Sequence, residues 1–202
     1  MPVTRRRALT QLQALIGCDL NDLARHYRIA THVAGRLNKG WAGHTIERHL
    51  GAALNSRQQP DFNGWELKGV ALTFDQAGAP RAKETMAITM FNPAHVIATP
   101  FAQSHLRQKL HRMLVVGWVT QPTQHASAVI VCAEPFNLAP HIESLVRADY
   151  DQLRGLLRVY GARAVSGRVG EWVQARPKGS GRGSTTRAFY ARQRLIDLML
   201  RF

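Results

Sequence analysis

Three side chains that could carry out chemistry, Asp61, Glu66 and Lys68, lie within eight positions of the chain. Asn63-Gly64 stands between them and is the strongest short-range signal for a two-residue hairpin turn. With that turn, Asp61 faces Glu66 across the hairpin, and strand alternation returns Lys68 to the same face. The sequence therefore predicts two carboxylates and one ammonium on a single patch of a hairpin.

Like charges placed opposite each other destabilise a sheet, so this acidic pair needs a compensating partner. A magnesium ion suits the pair, because Mg²⁺ prefers one or two carboxylates and keeps its other positions for water and phosphate oxygens. The pattern is therefore typical of a site that cuts phosphodiesters. Acidic and basic residues this close together also occur on solvated hairpin tips, and spacing alone leaves that alternative open.

The overall charge points to a polyanionic partner. The chain has 27 Lys and Arg against 13 Asp and Glu, which gives a formal net charge of +14. Nucleic acid is the first candidate for a domain this basic. Most of the basic residues are arginines, which suit bidentate contacts with phosphate and guanine. Ribosomal and membrane-surface proteins share this bias, so charge alone does not name a function.

Length and composition limit the class of protein. The 202 residues, 45% of them hydrophobic, suit one domain, or one domain with two lobes. No apolar run is long enough to span a bilayer, and no signal-peptide core follows the basic start of the chain. Cys18 and Cys132 form no metal-ligand pattern. These features favour a reduced, cytoplasmic setting without membrane association.

Hydrophobic periodicity predicts the elements that would position these side chains. Helices are predicted over residues 4–16, 19–27, 40–54, 104–112, 140–160 and 187–200. Strands are predicted over residues 65–74, 85–91, 113–120 and 126–133, with a further hairpin over 165–175 and a flexible basic loop over 176–184. Strands that alternate with helices indicate a mixed α/β fold.

Five segments occur together in a recognisable order along nearly the whole chain. They are Lys39-Gly40-Trp41-Ala42-Gly43 with Glu47 and His49-Leu50-Gly51-Ala52, then Asp61 with Glu66-Leu67-Lys68, then Ser104-His105-Leu106-Arg107-Gln108-Lys109-Leu110, then Gly170-Glu171-Trp172-Val173-Gln174-Ala175-Arg176-Pro177-Lys178, and finally Phe189-Tyr190. Together they resemble the MutH family of bacterial mismatch-repair endonucleases, which includes related restriction enzymes that cut at GATC.

The resemblance implies a restriction-endonuclease-like fold of the PD-(D/E)xK type. In this fold a mixed central sheet is flanked by helices, and two lobes surround a DNA cleft. The implied N-terminal catalytic lobe covers residues from about 1 to 100, and the DNA-reading lobe covers about 101 to 202.

The resemblance also implies roles for individual residues. Glu47, Asp61 and Glu66 would form the acidic metal site, Lys68 would orient or activate the attacking water, and Lys109 would be a supporting cation. The implied DNA contacts are Lys39, Gly40, Arg107, Arg176, Pro177, Lys178, Arg182 and Tyr190, with Tyr190 at the methylation-sensitive adenine. Base readout and a phosphate clamp are both open for Arg182, and a core position is the alternative for Tyr190.

The implied activity is Mg²⁺-dependent nicking of the unmethylated strand of double-stranded DNA at hemimethylated GATC sites, with MutL as activator. The protein would be a monomer in the absence of DNA. Two alternatives are a restriction enzyme of the same fold that cuts both strands without an activator, and a non-catalytic basic nucleic-acid-binding protein. The stretch between Lys178 and Tyr190 is shorter than in the family, and Met86-Ala87 replace a frequent aromatic DNA contact. These departures leave the exact target sequence open.

Overall fold

The computed structural model describes residues 3–51, 62, 64–121, 127–178 and 187–202. Its helices are α1 (Arg5–Gln13), α2 (Leu20–His26), α3 (Trp41–His49), α4 (Pro93–Ala98), α5 (His105–His111), α6 (Pro140–Tyr160) and α7 (Gln193–Leu200). Its strands are β1 (His32–Val33), β2 (Arg36–Leu37), β3 (Glu66–Phe74), β4 (Pro80–Ala82), β5 (Met86–Phe91), β6 (Arg112–Gln121), β7 (Ser127–Asn137), β8 (Val173–Pro177) and β9 (Arg187–Ala191). Within these ranges, no helix has the length and apolar character needed to cross a membrane.

Four helices begin at polar side chains that cap their first turn. The capping residues are Thr4, Asp19, Asn92 and Ser104, and each accepts a hydrogen bond from a backbone N–H two or three residues further along. Such caps satisfy backbone donors that a helix start leaves without an intrahelical partner. The predicted helices α1, α2, α3, α5 and α6 are confirmed, with small shifts at their ends.

The central sheet has the strand order β4-β3-β6-β7. β3 and β6 run parallel, with Glu66 opposite Met113, whereas β4 and β7 pair antiparallel with their neighbours. Parallel neighbours require a crossover connection, and the segment carrying β5, α4 and α5 supplies it. Because α5 leads directly into β6, its last turn lies beside the first residue of β3.

A second sheet has the order β5-β9-β8 and is antiparallel throughout. The long helix α6 and the C-terminal helix α7 contribute buried side chains to a core shared with strands of both sheets. A second core lies on the other face of the central sheet and includes residues of α1, α2 and α3. The two-lobe division near residue 100 stays a prediction, and both the central and the second sheet take strands from both sides of that position.

Two sequence predictions in the C-terminal half are wrong. The hairpin predicted over 165–175 does not form, because the strand that begins at Val173 pairs with β9 instead. The helix predicted from residue 187 begins at Gln193, since residues Arg187–Ala191 form β9. Arg176 and Pro177 therefore belong to a strand rather than to the predicted flexible loop. Residues 179–184 of that loop lie outside the described residues.

Two glycines give a matched test of the packing. Gly155 lies on the exposed side of α6, and a Cβ added there meets no atom within 4 Å. A Cβ added at Gly117 of β6 would lie 2.5 Å from Leu72 Cδ1 and 2.6 Å from Cys132 Sγ. We expect Gly155→Ala to raise the free energy of unfolding by about 1 kcal/mol through helix propensity. We expect Gly117→Ala to lower it by about 1–3 kcal/mol through overpacking. Urea unfolding measures both, and equal midpoints for the two variants would contradict this packing.

Candidate active site

A tight hairpin precedes the first residue of β3. Phe62 and Trp65 exchange backbone hydrogen bonds, with N···O distances of 3.1 and 3.3 Å, and their rings stack with centroids 4.0 Å apart. Gly64 between them has φ +79°, a conformation that glycine adopts without strain. The predicted pairing of Phe62 with Trp65 is confirmed. Asp61 lies outside the described residues, so its position opposite Glu66 stays a prediction.

Glu66 is a fully buried carboxylate with a lysine at each of its oxygens. Lys109 Nζ donates a hydrogen bond to Oε2 over 2.7 Å, and Lys68 Nζ lies 2.6 Å from Oε1. The Glu66 side chain is 0% exposed. Burying a carboxylate is unfavourable unless cations and hydrogen bonds replace its water. The two lysines provide that replacement, and they fix the position of the Glu66 oxygens.

The two lysines differ in their access to solvent. The Lys68 side chain is 22% exposed, whereas that of Lys109 is 6% exposed. Lys109 reaches Glu66 from the last turn of α5, which the parallel pairing of β3 and β6 places nearby. Lys68 lies on the same strand as Glu66, two residues further along, as the alternation of the sequence predicts. The Lys68 side chain is therefore partly open to solvent, while the Lys109 side chain is internal.

Glu47 lies half-buried on α3, which packs against β3. Ile46, the preceding residue, approaches Gly69 of β3, and its Cδ1 is 3.7 Å from the Cβ position of that glycine. Among the described residues, no group of three or more His, Cys, Asp or Glu side chains is placed to hold a metal ion. Since Asp61 is outside that set, the metal site of Glu47, Asp61 and Glu66 stays a prediction.

A cleft of about 720 Å³ opens between the β1–β2 ribbon, the start of α3 and the central sheet. Lys39 and Lys83 line it together with Trp41 and Trp118. Gly40, predicted with Lys39 to contact DNA, is exposed and forms the N-cap of α3. Glu84 lines the cleft as well, so its lining combines two lysines, one carboxylate and aromatic side chains, and it adjoins the helix that carries Glu47.

Arg107 joins two helices through an ion pair. Its Nε donates to Glu143 Oε1 over 2.8 Å, and its Nη2 donates to Oε2 over 3.4 Å. The hydrogen bond from Arg107 lowers the pKa of the Glu143 carboxyl below its ordinary value. This pair links α5, which carries Lys109, to α6. A DNA contact by Arg107 stays a prediction, and it would require the guanidinium to contact a DNA phosphate while it remains paired with Glu143.

The predicted DNA-reading residues that the structure describes lie on β8, just after it, and on the neighbouring strand β9. The Arg176 guanidinium lies over the ring of Tyr190, 4.3 Å from its centroid, a cation–π contact between neighbouring strands. Tyr190 is 9% exposed and lies in β9 rather than at a helix start. Pro177 and Lys178 are exposed at the end of β8, whereas Arg182 lies outside the described residues.

Asp149 is a structural residue that the sequence analysis missed. Its buried carboxylate, on α6, accepts backbone N–H bonds of 2.8, 2.6 and 2.9 Å from Glu171, Trp172 and Val173. These bonds hold the segment that leads into β8 and so position Arg176. The available signal was the place of Asp149 on the apolar stripe of α6, three residues after Val146.

Comparisons with known proteins agree on one family. A model of the family "DNA mismatch repair enzyme MutH" matches residues 50–149 of the chain. The chain is 30% identical to the DNA mismatch repair protein MutH of Serratia proteamaculans over 191 residues, covering 93% of the chain and 82% of that protein. It is 28% identical to the protein of the same name from Vibrio cholerae, covering 99% of the chain and 90% of the relative.

Among solved structures, the chain is similar to the restriction endonuclease MvaI in a complex with its cognate DNA substrate. The TM-score is 0.38 and the sequence identity is 13%, with 88% of this chain and 95% of that chain covered.

Proposed function

Because the chain belongs to the MutH family of DNA mismatch repair endonucleases, we propose that it nicks the unmethylated strand of duplex DNA at hemimethylated GATC sites. The proposed reaction depends on Mg²⁺ and on activation by MutL. Membership in the family also assigns the restriction-endonuclease-like α/β fold, and the mixed sheet between two helical layers agrees with it.

The observation that supports the chemistry most strongly is the buried Glu66 between Lys68 and Lys109. A carboxylate that is 0% exposed and contacts two ammonium groups carries a desolvation penalty that apolar residues of similar size would avoid, so stability alone does not explain it. Lys68 is the more exposed of the two lysines, and we assign it to the side from which a negatively charged substrate approaches. Preorganised positive charge at such a position stabilises charge that develops on a phosphate during cleavage.

The donor chemistry of the site suits Mg²⁺. Glu66 offers a carboxylate oxygen, and Glu47 and Asp61 are the further oxygen donors that we assign to the ion. A Mg²⁺ ion bound there would lower the pKa of a water molecule and offset charge on the leaving oxygen. Lys68 would hold the attacking water and the scissile phosphate in place, and Lys109 would keep Glu66 oriented.

DNA recognition is assigned to the basic residues around the cleft and at the end of β8. We place Lys39 and Gly40 on the DNA backbone, because both are exposed and Lys39 lines the cleft. We assign base readout to Arg176 and Lys178, since Arg and Lys pair with the O6 and N7 atoms of guanine. Tyr190, whose ring packs against the Arg176 guanidinium, would contact the adenine position.

Labelled oligonucleotide duplexes test this specificity. Four duplexes are compared with Mg²⁺, with and without MutL: unmethylated, hemimethylated and fully methylated GATC, and a control with GATC scrambled. We expect nicking of the unmethylated strand of the hemimethylated duplex and no cutting of the fully methylated or scrambled duplexes. Cutting of both strands without MutL would instead identify a restriction activity. Equal cutting of the scrambled duplex would contradict the proposed target.

A further inference from the structure

A short two-stranded ribbon projects from the protein just before α3. β1 and β2 pair antiparallel, with His32 opposite Leu37 and Val33 opposite Arg36. The turn between them has positive φ angles at Ala34 (49°) and Gly35 (71°), as a two-residue hairpin turn requires. Because directly opposed residues share a face, each face of the ribbon carries one basic and one apolar side chain.

The base of the ribbon is anchored to the rest of the protein. The Asn38 backbone N–H donates to Thr31 O over 2.9 Å, and its side-chain amide donates to Ala30 O over 3.0 Å. The Asn38 Oδ1 atom accepts a hydrogen bond from the backbone N–H of Gly40, at the start of α3. One side chain thus joins both ends of the ribbon to the helix that carries Glu47.

The ribbon exposes two apolar side chains that lie outside the hydrophobic cores. Val33 is 59% exposed and Leu37 is 58% exposed, and neither belongs to a hydrophobic core. The surrounding segment 28–39 contains Arg28, His32, Arg36 and Lys39 and has no acidic residue. This combination of basic and apolar side chains suits a duplex, whose grooves offer phosphates along their walls and apolar sugar and base surfaces between them.

The ribbon borders the cleft. Its His32–Leu37 face lines the 720 Å³ cleft together with Lys39, while Val33 and Arg36 lie on the opposite face. A ribbon that enters a groove presents its two faces to the two sides of that groove. The basic and apolar residues on both faces match that arrangement.

We propose that the β1–β2 ribbon is a DNA-binding element that enters a groove of the duplex held in the cleft. In this arrangement Arg36 contacts a phosphate, and Leu37 packs against the sugar and base surface. The inference rests on the proposed function, because it takes duplex DNA as the ligand of the cleft. The contact adds affinity rather than sequence specificity.

Fluorescence anisotropy of a labelled 20-base-pair duplex, in EDTA and over a series of salt concentrations, tests the inference. We expect Arg36→Ala to reduce the slope of log affinity against log salt by about one, which corresponds to one lost phosphate contact. We expect Leu37→Ser to weaken binding about three- to tenfold at every salt concentration and to leave the slope unchanged, because it removes only apolar contact.

Arg201→Ala and Leu198→Ser are the matched controls. They remove the same charge and the same apolar side chain at the C-terminal end, where α7 packs on the other face of the central sheet from α3. We expect both controls to bind as the wild type does, and thermal unfolding checks that all four variants fold.

The experiment also distinguishes failure of the ribbon assignment from failure of the proposed function. If both ribbon variants bind the duplex as tightly as the wild type does, within error, the ribbon assignment is overturned and the proposed function stays intact. Absence of duplex binding by the wild type overturns both. Equal losses in ribbon and control variants overturn the ribbon as a specific contact.

Discussion

Lys68→Ala is expected to slow DNA cleavage about 100- to 1,000-fold while duplex affinity falls by less than about tenfold. The Lys68 ammonium lies 2.6 Å from Glu66 Oε1 and its side chain is 22% exposed, so we expect it to act on a bound phosphate. Alanine removes this fixed charge but leaves the Lys109–Glu66 hydrogen bond in place. Single-turnover cleavage of a saturating GATC duplex and anisotropy of the same duplex in EDTA give the two quantities.

Lys83→Ala is the matched control for this experiment. Lys83 is also a lysine near the proposed substrate, since it lines the cleft, whereas the two oxygens of Glu66 lie beside Lys68 and Lys109. We expect its loss to change cleavage at saturating DNA by less than about threefold, because a contact made equally in the ground and transition states does not alter the chemical step. Parallel losses of binding and cleavage in Lys68→Ala would contradict the catalytic role of Lys68.

Lys109→Met is expected to lower the free energy of unfolding by about 3 kcal/mol. Methionine keeps most of the apolar stem but removes the ammonium that donates to Glu66 Oε2 over 2.7 Å. The carboxylate is 0% exposed, so water cannot take the place of the lost cation without a rearrangement of the core. Urea unfolding, which needs no DNA, measures the change.

A double variant separates lost charge pairing from lost packing. Lys109→Met leaves the buried Glu66 charge with only one of these two lysines, Lys68, and Glu66→Gln removes that charge, so the double variant should recover most of the stability. The two changes are therefore expected to couple by about 2 kcal/mol. Strictly additive effects, or a Lys109→Met variant as stable as the wild type, would show that the buried pair does not hold the site together.

The hairpin shows how far local sequence signals lead. The Asn63-Gly64 dipeptide predicts that Phe62 faces Trp65, and this pairing needs no knowledge of the remaining chain. The place of Lys68 beside Glu66 follows from strand alternation in the same way. Both predictions succeed because they depend on neighbours in sequence.

The contact of Lys109 with Glu66 depends instead on the topology of the sheet. These residues are 43 positions apart, and they meet because α5 enters β6 beside the start of the parallel strand β3. Composition and periodicity do not predict which residues of two parallel strands lie opposite each other. Only the family resemblance therefore indicated Lys109. The same holds for Asp149, whose three backbone partners belong to a segment more than 20 residues away.

The errors in the C-terminal half have a common physical origin. Short apolar runs fit a buried strand and a helix equally well, and pairing partners decide between them. Residues Arg187–Ala191 form β9 because β5 and β8 flank them, although their sequence also continues the pattern of α7. The helix α4 was also missed, even though Asn92 before Pro93 is a regular helix-start signal.

The most direct test of the central claim is cleavage of supercoiled, unmethylated plasmid by the wild-type protein and by Glu66→Gln, resolved on an agarose gel. Each protein is incubated with MutL and either Mg²⁺ or EDTA. The account predicts that only the wild type with Mg²⁺ converts supercoiled plasmid to open circles, and to linear molecules where both unmethylated strands of a site are nicked. No cutting by the wild type in Mg²⁺, or equal cutting by Glu66→Gln, would contradict the assignment of this site as a metal-dependent endonuclease centre.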